Sequence, residues 1–170
     1  MLKILHSLRK RVVKMSENFR ELLLYGTSYE KKACEFLKEK FQNQIDCIQF
    51  VEYCEEDNSK QQLYGDIELK TKFGRTIHFE VKSRRKETDC LCFEINEKKE
   101  LKPKFVDYYL FFLPKRKPLM LDYFTFYAIY PKLAQDKPIR HVSDGEAVIF
   151  IPIIEVIQEF EKLTGLGGVA

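Results

Sequence analysis

The sequence predicts a single α/β or α+β domain, and three of its stretches carry that expectation. Leu63 to Lys86 alternates apolar and polar residues in two arms about Phe73-Gly74-Arg75, as two strands folded on each other around a glycine turn do. Tyr29, Ala33, Phe36, Leu37 and Phe41 recur at helical spacing, as do Ile153, Val156, Ile157, Phe160 and Leu163 near the C-terminus. Asp107 to Leu113 is a strongly apolar run of strand length, suited to the inside of a sheet. Helices alternating with strands of this kind pack in layers about one core.

Size and composition narrow the class. A chain of 170 residues builds one proper core and is too short for two ordinary domains. With 45% apolar and 14% aromatic residues, disorder is excluded. The net charge of +3 is mild, but the basic residues cluster: Lys3, Arg9, Lys10, Arg11 and Lys14, then Arg84-Arg85-Lys86, then Lys115-Arg116-Lys117. Such runs bind phosphate backbones, or are solvated turns, and for 115–117 both readings stand. Cys34, Cys47, Cys54, Cys90 and Cys92 are odd in number and form no CxxC pair, which indicates neither a disulfide framework nor a zinc ribbon. A reduced, intracellular (cytoplasmic) protein is the simplest expectation. No apolar run reaches membrane-spanning length, so no membrane partner is expected. The basic N-terminal stretch lacks a secretory cleavage site and reads as an amphipathic helix, with Met1 or Met15 as the start.

Taken in order, Phe19, Leu22, Leu23 and Leu24 predict a helical segment from Ser16 that Gly26 stops. Thr27 or Ser28 then caps a second helix. Gln44 to Tyr53 is strand-like, and Cys54 to Gln62 is a polar, acidic loop. After the hairpin, Cys90 to Ile95 forms a short strand, and Asn96 caps a brief helix through Leu101 that Pro103 limits. Tyr123 to Tyr130 reads as an aromatic-rich strand, Pro131 to His141 as a long irregular connection, and Val148 to Ile151 as a last short strand. Pro152 suits the first turn of the final helix, which Gly165 ends, and the Gly-Leu-Gly-Gly tail is expected to fray. Within one domain over 1–170, this gives a basic helical segment over 1–25, a core over 26–113, and C-terminal strands and helix over 114–170.

The hairpin also carries the chemistry. In its second arm Ile77, Phe79 and Val81 share one face, and His78, Glu80 and Lys82 share the other. Pairing the arms brings an acid of the first, among Asp66 and Glu68, beside Glu80. Two carboxylates and an amine on one patch suit phosphodiester chemistry with a hard divalent ion such as Mg²⁺, because carboxylate oxygens hold the ion and a metal-activated water attacks phosphorus. The same pattern also describes an amphipathic hairpin with a solvated charged face. Glu30 falls on the apolar stripe of its helix and needs a partner there, which a capping box with Thr27 would supply. His78 is expected to be a satisfied or solvated side chain, and His6 and His141 carry no signal.

Asp66 followed by Glu80-Val81-Lys82 resembles the PD-(D/E)xK nuclease superfamily, with Gly65 where that motif often has proline. The resemblance implies a restriction-endonuclease-like core, a mixed central β-sheet flanked by helices. It also implies Asp66, Glu80 and the Val81 carbonyl as ligands of Mg²⁺, with Mn²⁺ as substitute, and Lys82 as the catalytic lysine. Gly26-Thr27-Ser28-Tyr29-Glu30 resembles the opening of the first helix in archaeal Holliday-junction resolvases, which implies that Glu30 approaches the same site. The iron-sulfur cluster of some relatives is not expected, because no cysteine follows Cys92. The function so implied is a metal-dependent DNA endonuclease with DNA as its partner. A junction resolvase acting as a homodimer and a nuclease-fold module that binds DNA or protein without cutting are the alternatives.

Overall fold

The computed structural model describes residues 17–51, 59–142 and 145–164. The first sixteen residues with their basic cluster, Met15, Cys54, most of the acidic connection and the glycine-rich tail lie outside them. A single helix, α1 (Glu17–Phe41), opens the described chain and runs through Gly26, where a stop was expected. An interior glycine costs a helix only about 1 kcal/mol relative to alanine. Burial of Ala33 and Leu37, both fully enclosed on the same helix, outweighs that cost. Thr27 and Ser28 are therefore interior residues. The Ser28 hydroxyl donates back to the Tyr25 carbonyl at 2.7 Å, and no capping box forms around Glu30.

Next come β1 (Ile45–Phe50), the short helix α2 (Ser59–Tyr64), and the hairpin strands β2 (Ile67–Thr71) and β3 (Thr76–Ser83). The hairpin turns where expected: the Gly74 amide donates to the Thr71 carbonyl at 2.9 Å, and Gly74 has φ 79°. Its first arm starts later than predicted, because Leu63 and Tyr64 end α2. The chain continues through β4 (Cys90–Glu94), β5 (Tyr108–Phe112) and β6 (Leu119–Asp122). In place of a helix after Asn96 there is a tight turn. Its carboxamide oxygen accepts from the amides of Lys98 and Glu100, and Ile95 bridges to Leu101.

The expected strand over Tyr123 to Tyr130 is instead the helix α3 (Tyr123–Ala134), with Pro131 in its last turn. Asp122 caps it by accepting from the Thr125 amide at 2.8 Å. Tyr123, Phe126, Ile129, Tyr130 and Leu133 are buried at helical spacing, leaving Phe124 and Tyr127 outside. β7 (Arg140–His141), β8 (Ala147–Pro152) and α4 (Ile153–Thr164) complete the fold, so the expected irregular connection shrinks to a few residues.

The chain is thus an α+β protein built on a mixed sheet, in the order β1-β2-β3-β5-β6, flanked by helices. β3 and β5 run parallel and the other pairs antiparallel. A second, antiparallel sheet, β4-β8-β7, was not foreseen as separate. Phe79 packs with Ile67, Leu69 and Leu110 beneath Ala33 and Leu37 of α1. On the opposite face Tyr109 and Phe111 join a larger core with Phe93, Phe126 and Ile149. Glu80 pairs with Tyr109 and Lys82 with Phe111, so the polar row of β3 lies on this second side.

Gly65 fixes how α2 hands over to β2. Its φ is 73°, and a Cβ there would stand 2.6 Å from the Phe79 carbonyl oxygen and 2.9 Å from Val106 Cγ1. Its amide donates to the Gln61 carbonyl at 2.9 Å, so proline is excluded twice, by φ and by the lost donor. Gly74 also has positive φ but open space around it. Gly65→Ala should therefore lower stability by roughly 2–4 kcal/mol, strain plus overpacking, against about 1 kcal/mol for Gly74→Ala. Urea denaturation checks this, and equal costs would mean that the close approach at Gly65 does not constrain the fold.

Candidate functional site

β3 extends past the start of β2, and the site forms at that step. The pairing ends at Ile67 opposite Phe79, and the Asp66 amide donates to the Phe79 carbonyl at 2.8 Å. Beyond this point the Val81 amide has no β2 carbonyl to meet. The Asp66 carboxylate takes its place, accepting from Val81 N at 2.7 Å through Oδ2 and from Gln61 Nε2 at 3.1 Å through Oδ1. Asp66 thus bonds the amide of Val81, the residue between Glu80 and Lys82.

Glu80 is buried, and its Oε1 meets the ammonium groups of Lys82 at 2.8 Å and Lys104 at 2.7 Å. Lys82 also bonds Glu94 of β4 at 2.6 Å. Glu94 Oε2 lies 3.9 Å from Lys102, which pairs with Glu146 at 2.7 Å. Charge of alternating sign therefore runs from the hairpin to the second sheet.

Burial, then the neighbouring Glu80 charge, pushes the Asp66 carboxyl up to about 7, with Glu30 adding to the push and the Val81 amide and Lys82 opposing it. Burial and then Glu80 also raise Glu30, which places this α1 side chain within electrostatic reach of the site. Burial alone would lower Lys82, but Glu80 and Glu94 outweigh it and hold its ammonium well above the usual lysine range. Glu94 is held below the usual carboxylate range, because Lys82 outweighs burial. Burial followed by Glu80 raises the Tyr109 hydroxyl, so it stays protonated beside the cluster.

Gln61, Glu94 and Lys104 escaped the sequence reading. Glu94 had a visible signal, as a lone acid on the apolar strand Cys90 to Ile95. Lys104 had none, since it follows Pro103 in an irregular stretch. His78 approaches Glu68 at 3.5 Å, as a satisfied side chain would. Arg84 lies over the Phe150 ring at 4.8 Å and Arg85 over Tyr25 at 4.7 Å, with Lys86 exposed beside them. In the 115–117 run, Lys115 pairs with Glu87 at 2.8 Å and Arg116 pairs with Asp89, while Lys117 is exposed.

The donor set suits a hard divalent cation in kind, since Asp66, Glu80 and Glu30 offer carboxylate oxygens whose mutual repulsion a cation would relieve. Among the described residues, no three ligand-type side chains converge closely enough to hold an ion in this arrangement. Lys82 and Lys104 occupy the Glu80 oxygen instead.

Fold and site together define an α+β domain with an acid-and-lysine centre where the hairpin strands part. The family model described as Protein NO VEIN, C-terminal matches residues 29–117, just over half of the chain, and the chain belongs to that family. The matched span contains Glu30, Asp66, Glu80, Lys82, Glu94 and Lys104. No curated protein and no solved structure matches the chain significantly. No helix among the described residues is long and apolar enough to cross a membrane.

The raised Asp66 fixes the sign of a pH dependence. Its ordinary value is 3.8, so between about 4 and about 7 the unfolded chain releases a proton that the folded chain keeps. Asp66 therefore costs the metal-free fold increasing stability over that window, and the cost levels off above it. Asp66→Asn should be more stable than the parent in chelator, with a gap that opens from pH 4 to pH 7 and stays flat beyond. Glu30→Gln should move stability in the same direction by less. Denaturation at pH 4, 6 and 8 checks both, and a pH-independent gap would remove Asp66 as the strained acid.

Proposed function

We propose that this chain is a metal-dependent endodeoxyribonuclease of the PD-(D/E)xK kind, hydrolysing phosphodiester bonds. The observation that supports this reading best is the bond from Val81 N to Asp66 Oδ2. It fixes the Asp66 carboxylate against the strand that carries Glu80 and Lys82. Asp66 and Glu80 would hold Mg²⁺, or Mn²⁺ in its place, with Glu30 alongside. Bound there, such a cation supplies Lewis-acid activation of water and of the scissile phosphate.

Lys82 has the electrostatic part. Glu80 and Glu94 keep its ammonium charged, so it donates hydrogen bonds to developing negative charge and does not remove a proton. Lys104 adds a second positive charge on the same side of Glu80. Val81 serves through its amide, which orients Asp66.

A second reading, a nuclease-fold module that binds DNA or protein without cutting, is favoured by one observation. Lys82 and Lys104 already pair with the Glu80 oxygen that a cation would need.

Labelled linear, single-stranded and four-way-junction DNA, incubated with Mg²⁺, with Mn²⁺ and with chelator, separates these readings. Cleavage of all forms with metal supports a general nuclease; cleavage of the junction alone supports a resolvase acting as a homodimer. Asp66→Ala and Glu80→Ala should each abolish cleavage, since each removes a ligand oxygen. Lys82→Met should block cleavage while calorimetry still detects Mn²⁺ binding. Absence of cleavage by the parent protein under every condition would leave the binding module as the function.

A further inference from the structure

Beyond Lys82, β3 ends at Ser83 and leads into the turn 84–89, which with Ser83 lines an open pocket of 610 Å³ together with Tyr25 and Gly26 of α1 and Phe150 of β8. Its lining is rich in hydrogen-bond donors. Arg84, Arg85 and Lys86 bring three positive charges, and Ser83 and Thr88 bring hydroxyls. Among the described lining residues the one acid, Glu87, is paired with Lys115 at 2.8 Å, so cations outnumber acids there. The Tyr25 hydroxyl is buried beside Tyr29 and Ser83 and completes no hydrogen bond of good geometry with either. Burial, then the adjacent Tyr29, pushes that hydroxyl up to about 12, so it remains protonated.

The aromatic rings prepare the guanidinium groups. Arg84 stacks 4.8 Å from the centre of Phe150 and Arg85 4.7 Å from that of Tyr25, which restrains two long side chains before any ligand arrives. Guanidinium forks of this kind match phosphate oxygens in pairs. An internal phosphodiester offers one charge and two free oxygens. A terminal phosphate offers between one and two charges and three acceptor oxygens, which better match a pocket lined by many donors.

We propose that this pocket binds the terminal phosphate of a nucleic-acid strand. The proposal rests on the reading of the chain as acting on nucleic acid, and it adds a preference for strand ends that the acidic centre does not imply. Arg84 lies two residues beyond Lys82, about 7 Å along the strand, so an end held here leads directly toward Asp66 and Glu80.

The test measures binding by fluorescence anisotropy in chelator, so that it does not depend on cleavage. One single-stranded oligonucleotide carries a 5′-phosphate, another a 3′-phosphate, and a third hydroxyls at both ends, with inorganic phosphate and sulfate as competitors. One phosphorylated end should bind about tenfold tighter than the hydroxyl control, as expected for added charge-assisted hydrogen bonds. Tyr25→Phe, which removes only the hydroxyl, should reduce that ratio, and Arg84→Gln with Arg85→Gln should abolish it. Inorganic phosphate should compete for the phosphorylated strand better than for the control. Equal affinity for all three strands would overturn the proposal, as would thermal stabilisation by inorganic phosphate without any preference between strands. An end preference retained in a cleavage-dead Asp66→Ala protein would support it whatever becomes of the nuclease reading.

Discussion

Glu80 is the buried charged side chain among the described residues, and the arrangement of the centre depends on how that charge is held. A carboxylate taken out of water costs several kcal/mol unless it is paired and hydrogen-bonded. Two ammonium groups reach one of its oxygens, Lys82 from the same strand and Lys104 from the stretch before β5. Lys82 in turn needs Glu94, which brings in β4, and Lys102 ties Glu94 to Glu146 at the start of β8. One buried acid thereby links the mixed sheet to the smaller sheet.

Two further acids, Asp66 and Glu30, feel the Glu80 charge. Among the described residues neither makes an ion pair like those of Glu80 with Lys82 and Lys104, and burial and Glu80 raise them both. Backbone geometry maintains this strain. Gly65 brings the chain against the Phe79 carbonyl, which a side chain could not tolerate, and this delivers Asp66 to the exposed Val81 amide. The energy that holds the acids together comes from the apolar side of the hairpin, where Ile67, Leu69 and Phe79 are fully buried under α1. Packing on one face of β3 thus sustains repulsion on the other, as happens where a site is preorganised for charge.

The two basic runs prove unequal. Arg84 and Arg85 stack on aromatic rings around a pocket, whereas Lys115 and Arg116 face Glu87 and Asp89 of the turn that forms its wall. The first run lines that pocket, and most of the second is paired to the turn beside it. Exposed pairs of this type contribute little to stability, typically below about 1 kcal/mol.

The sequence by itself determined the hairpin, because alternation with period two survives in both arms and Gly74 stands where the turn requires positive φ. It determined the buried face of α1 and the final helix, whose apolar residues recur cleanly at helical spacing. It also brought an acid of the first arm, Asp66 or Glu68, toward Glu80 and Lys82, and the register that makes it Asp66 is seen only in the fold. Tertiary structure decided the rest. Apolar residues fill 123–130 so densely that no period can be read, and burial against the core with the Asp122 cap selects a helix. Gly26 reads as a stop until Ala33 and Leu37 are seen to hold one helix together across it. Glu94 and Lys104 join the site through contacts between segments distant in sequence, and local pattern carries no record of such contacts.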